Sequence, residues 1–303
     1  LISTAKQIAI LEAPSNLGLI APSPGSEPGV KWLAPILMDY GFGEGLMVTD
    51  HKKLPAPAYQ TDIDPESKVR NADAIVDYSK LLAEQILAWR QKDYFTITLG
   101  GDCSLLIGHM LALKQSGRYG LFFMDGHTDF VLPSQSRTAG AAGMDLAMVT
   151  GHGPAKLCDI QGLQPYVKEE DVFCFGNRVY IDWYEQAIRE TAIHYFNLAE
   201  IRRMGIHKIV REFLDMAAHK QLDGFWIHFD VDVLDDAIMP CVDSRSAGGL
   251  RYEELKEVLV PLLKSALAAG MDITILDPTL DREGKYSKQF VQVMNEVVMA
   301  SSE

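Results

Sequence analysis

The chain has 303 residues, 48% of them hydrophobic and 23% charged, a composition that supplies a large apolar core. Its 41 acidic against 28 basic residues give a formal charge of −13, which argues against nucleic acid and anionic membrane surfaces, since both require basic patches. No apolar stretch approaches the length of a membrane span, and the opening LISTAKQIAILEAP lacks the basic start and cleavage site of a signal peptide, so the expected location is cytoplasmic. In chain order, IAILEA (8–13) predicts a strand, and the Pro-, Lys- and Asp-rich residues 51–70 predict an irregular loop. Residues 72–91 carry apolar side chains at helical spacing, followed by strands at YFTITLG (94–100), GLFFMD (120–125) and DVFCFG (171–176). A helix over 206–218 leads to the strand GFWIHFDVDV (224–233). A second helix over 252–269, stopped by Gly270, leads to MDITILD (271–277), and a last helix covers 287–300.

These strands are continuously apolar, as expected where helices cover both faces of a parallel sheet. The pattern predicts one α/β domain over residues 1–303, with no internal repeat. Cys103, Cys158, Cys174 and Cys241 show neither zinc-ribbon spacing nor a disulfide framework, which points to a reducing compartment.

Ligands of such sheets collect at the carboxyl ends of the strands. Polar clusters stand there in this chain: GGDCS after 94–99, DGHTD after 120–124, and DVDVLDD at the end of 224–229. In FFMDGHTDF, Asp125, His127 and Asp129 recur at two-residue intervals, so strand alternation would point all three to one side. The same periodicity pairs Asp230 with Asp232. Carboxylates at the end of a buried strand repel one another unless cations neutralise them. One histidine among several aspartates suits two divalent ions, Mn²⁺ before a structural Zn²⁺.

GGDCS, DGHTD and DVDVLDDAIMP, in this order and at these separations, resemble the signatures GGDHS, DAHxD and DxDxxDPxxxP of the ureohydrolase superfamily, which includes arginase, agmatinase and formiminoglutamase. EAPSNLG (12–18) and DPTLD (277–281) extend the resemblance over essentially the whole chain. It implies a three-layer α/β/α sandwich with a mostly parallel eight-stranded sheet. It also implies a dinuclear manganese site with a bridging hydroxide, a small-molecule substrate, and a homo-oligomer (trimer or hexamer). By resemblance, Asp125 and Asp230 bridge the metals and His127 and Asp232 complete one shell. Asp129 binds the other metal and orients the nucleophile. The sixth position, histidine in the family, is Cys103. As a thiolate it would add charge and softness, favouring Zn²⁺ or Fe²⁺; as a thiol it would leave that site weak or empty.

The substrate-handling positions depart from the family. TAGAAGMDLA (138–147) places Ala142 where arginases carry a proton-shuttle histidine, and Val131 stands where they often carry Asn. ITILDP (273–278) places Ile275 where a glutamate binds the guanidinium, with Asp277 or Asp243 as substitutes. His152 is the candidate replacement shuttle. His228 is read as a hydrogen-bonded core residue, and Arg178 and Glu185 as part of a pocket-lining loop. The expected function is metal-dependent hydrolysis of a non-peptide C–N bond, of guanidino, amidino or formimino type, by metal-bound hydroxide, without efficient arginase activity. Two rivals stay open: a non-catalytic metal-binding member with a regulatory or structural role, and a deacetylase-type amidohydrolase on the same fold.

Overall fold

The computed structural model describes residues 6–302. Its strands are β1 (Ile8–Glu12), β2 (Val48–Lys53), β3 (Phe95–Leu99), β4 (Tyr119–Met124), β5 (Val172–Phe175), β6 (His194–Phe196), β7 (Gly224–Asp230) and β8 (Ala268–Thr274). They form one sheet in the order β2-β1-β3-β8-β7-β4-β5-β6, and every pairing is parallel. The helices are α1 (Leu33–Asp39), α2 (Ala72–Arg90), α3 (Leu105–Ser116), α4 (Asp145–Val149), α5 (Ala155–Cys158), α6 (Asp182–Arg189), α7 (Leu198–Met204), α8 (Ile206–His219), α9 (Tyr252–Lys264) and α10 (Lys285–Ser302).

Period-2 alternation divides the core between two layers. Ile8, Ile97, Phe122, Phe225, Ile227 and Ile273 pack with the apolar sides of α1 and α7–α10. Ala9, Leu11, Leu121, Phe123 and Trp226 pack with α2–α5 on the other face. The strands are buried on both faces, so their predominantly apolar runs require a helical layer on each side of the sheet. None of the described helices is long and apolar enough to cross a membrane.

Two expectations are corrected, and one strand comes in addition to those expected. Residues 48–53, partly inside the expected loop, form β2, and His194–Phe196 form β6. These are the sheet's two edges, where a polar or very short strand carries no continuous apolar run. The helix expected to reach residue 269 ends at Lys264, and Gly270 lies inside β8. A Cβ on Gly270 would stand 2.3 Å from the Trp226 ring, so this glycine makes room for a neighbouring strand's indole.

Candidate metal centre

The central strands β3, β8, β7 and β4 deliver their carboxyl ends to one place. Asp125, His127 and Asp129 converge there, with ligand atoms within 4.8 Å of one another, and so do Asp125, Asp230 and Asp232. The cause is not the strand alternation expected from sequence, because β4 ends at Met124 and β7 at Asp230. Two short turns do the work. Asp125 Oδ1 accepts from the His127 N–H at 2.7 Å, and Asp230 Oδ1 accepts from the Asp232 N–H at 2.7 Å. Asp129 then adopts φ +41°, a left-handed conformation that Asp tolerates better than most residues, and this turns its carboxyl back toward the cluster.

The glycine of DGHTD is required by packing. Gly126 N–H donates to Asp232 Oδ1 at 2.9 Å, and a Cβ there would meet Arg178 Nη1 at 2.3 Å. The two outer motifs brace the centre in a similar way. Ser15 of EAPSNLG donates to Asp102 of GGDCS at 2.7 Å, and a Cβ on Gly101 would collide with the Ser15 carbonyl.

His127 Nδ1 lies 3.0 Å from Asp232 Oδ2 and 3.3 Å from Asp125 Oδ1. Burial alone would lower the His127 pKa, but the Asp232 and Asp125 carboxylates raise it well above the ordinary value. Burial would raise Asp125, yet the bond and charge from His127 hold it below the usual range. Asp129 and Asp230 are pushed well above that range, first by burial and then by the charges of Asp125 and Asp232 respectively. The cluster thus carries more carboxylate than its one imidazole can neutralise, and Asp125 Oδ2 is buried with no hydrogen-bond partner. An orphaned carboxylate oxygen facing other carboxylates is the electrostatic condition that a divalent cation relieves.

Cys103 is fully within the site: its sulfur is 3.1 Å from both Asp230 Oδ2 and Thr274 Oγ1, and it groups with Asp125 and His228. Burial first, and then the Asp230 charge, pushes the thiol well above its ordinary pKa. His152 is not brought to this cluster by its contacts. Its Nε2 pairs with Glu169 at 2.6 Å and its ring meets Phe130 edge-on.

Ala142 is buried, and Ile275 is buried at φ +72°, a strained conformation for a β-branched residue. Asp277 cannot stand in for a lost guanidinium partner. Its carboxylate caps the turn through Thr279 N–H at 2.9 Å and accepts from Gly29 N–H at 3.1 Å. Asp243 lies near the centre, its carboxyl raised to about 6 by burial and then by the Asp232 charge. Arg178 is structural: its Nη2 donates to the carbonyls of Asp232 and Ser246, tying together the loops that carry the acids. Glu185 accepts from Tyr195 and Asn197 and anchors α6.

Sequence reasoning missed Asp145, Asp272 and Tyr184. Asp272 accepts from His228 Nδ1 at 2.6 Å and from the Trp226 indole N–H. Tyr184 Oη accepts from the Thr128 N–H at 2.9 Å, within the ligand loop. The signal for Asp145 was a lone acid inside the apolar run AAGMDLAMV, a position that burial forbids unless a partner or a ligand exists.

A sequence model of the Arginase family matches residues 7–300. The chain belongs to the arginase family. It is 28% identical to the arginase of Staphylococcus aureus over 243 residues, 80% of each chain. It is 26% identical to human arginase-1, with 97% of this chain and 91% of that protein covered. In structure it resembles the arginase of Bacillus caldovelox, with a TM-score of 0.85, 25% identity, and coverage of 97% of this chain and 98% of that one. A formimidoylglutamase from Bacillus subtilis shares the fold at a TM-score of 0.71 and 20% identity, covering 98% and 87% of the two chains.

Proposed function

We propose that this chain is a divalent-metal-dependent hydrolase of a non-peptide C–N bond in a small molecule with a guanidino, amidino or formimino group. The observation that carries the proposal is the convergence of His127, Asp129, Asp230 and Asp232 on Asp125, whose Oδ2 is buried without a partner. These five residues would hold two divalent ions, with Mn²⁺ favoured by the oxygen-rich donor set. Cys103 occupies the remaining family position. When bound, the metal pair supplies Lewis acidity, making water a competent nucleophile near neutral pH and stabilising a tetrahedral carbon.

The protein's part is positional. Asp125 and Asp230 come from adjacent strands held in register, so the spacing between them is set by the sheet. Asp129, whose left-handed backbone supports the assignment, would orient the nucleophile and take up its proton at a carboxylate oxygen. Tyr184 Oη accepts from the Thr128 N–H and so steadies the loop that carries His127 and Asp129.

Ile275 and Ala142 present apolar walls where an arginine-cleaving site needs a carboxylate and an acid. A buried guanidinium without a partner is costly. The substrate is therefore one less basic at its reacting end than arginine, or one whose charge is met by Asp243, which lies close enough to the centre to feel Asp232 and His127. The test is a panel of guanidino, formimino and acylamino compounds with Mn²⁺ added, followed by release of urea, formamide, ammonia or carboxylate. Turnover of a guanidino or formimino compound supports the reading. Exclusive turnover of acylamino compounds would replace it with the amidohydrolase reading, and no turnover with both metals bound would favour the non-catalytic one.

A further inference from the structure

Next to the five acidic and imidazole groups lies a second set of buried donors. His228 and Asp145 are both 0% exposed. Asp145 Oδ1 accepts from the Leu146 N–H at 2.7 Å, but its Oδ2 has no partner. His228 Nδ1 is engaged by Asp272 Oδ2 at 2.6 Å, while Nε2 has no partner. Nε2 and Asp145 Oδ2 are 3.8 Å apart, too far for a hydrogen bond. His228 also groups with Asp125 and Cys103, their ligand atoms lying within 4.8 Å of one another. His228 Nε2 thus faces one unpartnered buried oxygen, Asp145 Oδ2, while its residue also groups with Asp125, whose Oδ2 is likewise buried without a partner.

The ring orientation is fixed on two sides. Asp272 is the cross-strand neighbour of His228, and its carboxylate takes the Nδ1 proton. Phe123 stacks on the ring with centroids 4.7 Å apart. A carboxylate that accepts from one imidazole nitrogen leaves the other with a free lone pair, the usual arrangement of a metal-binding histidine. His109, the other fully buried histidine, also has an unpartnered nitrogen, Nδ1, but only His228 groups with Asp125 and Cys103.

We propose that His228 Nε2 and Asp145 Oδ2, with Asp125, hold the metal at the Cys103 end of the centre. The imidazole thus reaches this ion from strand β7, in place of the histidine that GGDCS lacks. Resting on the dinuclear reading above, the proposal changes which residues hold one of its two ions. The Cys103 sulfur, already 3.1 Å from Asp230 Oδ2 and Thr274 Oγ1, then acts as a neighbour of the ligands and is dispensable for metal retention.

The experiment is metal analysis of Mn²⁺- and Co²⁺-reconstituted chain, with X-ray absorption at the Co²⁺ edge. The wild-type chain should retain about two ions, while His228→Gln and Asp145→Asn should each retain about one and Cys103→Ala about two. Asp145→Asn preserves shape, so it remains informative if His228→Gln fails to fold. The absorption measurement needs no variant: imidazole scattering from both His127 and His228 with no short sulfur shell is expected. Full metal retention by His228→Gln and Asp145→Asn, or a sulfur shell with imidazole from His127 alone, would overturn the proposal. A wild-type chain that binds no metal would instead sink the dinuclear reading on which it rests.

Discussion

The sulfur of Cys103 lies 3.1 Å from Asp230 Oδ2, inside a motif whose family form has histidine at that position. The thiol is a donor to a carboxyl that has lost its water. Removing the donor leaves a buried acceptor unsatisfied, which costs about 1–3 kcal/mol. Cys103→Ala should therefore lower the stability of the metal-free chain by about this amount in urea unfolding. Cys103→Ser, which keeps a donor, should lose less. Equal stability of the three proteins would show that the contact contributes nothing.

The metal-free chain should lose stability as pH rises. Carboxyls in an unfolded chain titrate near about 3.9. In the folded chain Asp129, Asp145 and Asp230 are raised well above that, each chiefly by burial. The folded state thus binds more protons, so stability falls as pH climbs through the folded values. His127 acts in the same sense, because its contribution is full below its unfolded value and is lost as pH rises through the raised one. Asp125, held below the usual range by the bond and charge from His127, and Asp272 act oppositely. Burial would raise Asp272, but the His228 and His109 rings hold it well below the usual range, so its contribution disappears only in acid. With chelator present, the thermal midpoint should be lower at about pH 8 than at about pH 6, and divalent metal should remove that difference. A chelated chain that is more stable at the higher pH would contradict this.

Asp272→Asn should loosen His228 without touching the acidic cluster. The buried Asp272 carboxylate holds both the His228 ring and the Trp226 indole. Removing one partner of a buried charged pair costs about 3–5 kcal/mol. Loss of a carboxylate behind a ligating imidazole weakens metal binding by about 10–100-fold. Both effects are expected, in denaturant unfolding and in competition with a chromogenic chelator. Unchanged metal affinity would mean that His228 only packs.

Much of the fold was legible because the six interior strands are predominantly apolar runs, buried on both faces. The two edge strands were not, since VTDHKK and HYF owe their strand state to a neighbour's free backbone edge and carry no pattern of their own. The acids of DGHTD and DVDVLDD were legible as a cluster, although turns at Asp125 and Asp230, and not strand alternation, bring them together. Asp145 and the open nitrogen of His228 were not legible. Whether a buried polar atom lacks a partner depends on residues far apart in the chain, here Asp145, His228 and Asp272. His152 shows the reverse case, a chemically suitable residue that the fold assigns to Glu169.

Arginine should be a poor substrate. Losing a positioned acid costs about 10²–10⁴-fold in rate, and Ala142 supplies none. Ile275 offers no charge to the guanidinium. Urea release from arginine and agmatine by the fully metallated chain should stay well below about 10 s⁻¹, a median enzyme rate. Turnover at or above that value would show that another group, Asp243 foremost, replaces both missing functions.

The central claim is that the converging carboxylates exist to hold a pair of divalent ions. The most direct measurement is mass-spectrometric metal analysis of the wild-type chain after Mn²⁺ reconstitution and removal of loosely bound ions. About two ions per chain are expected, with protons released as they bind. A chain that retains no divalent metal, and unfolds at the same temperature with and without it, would contradict the account.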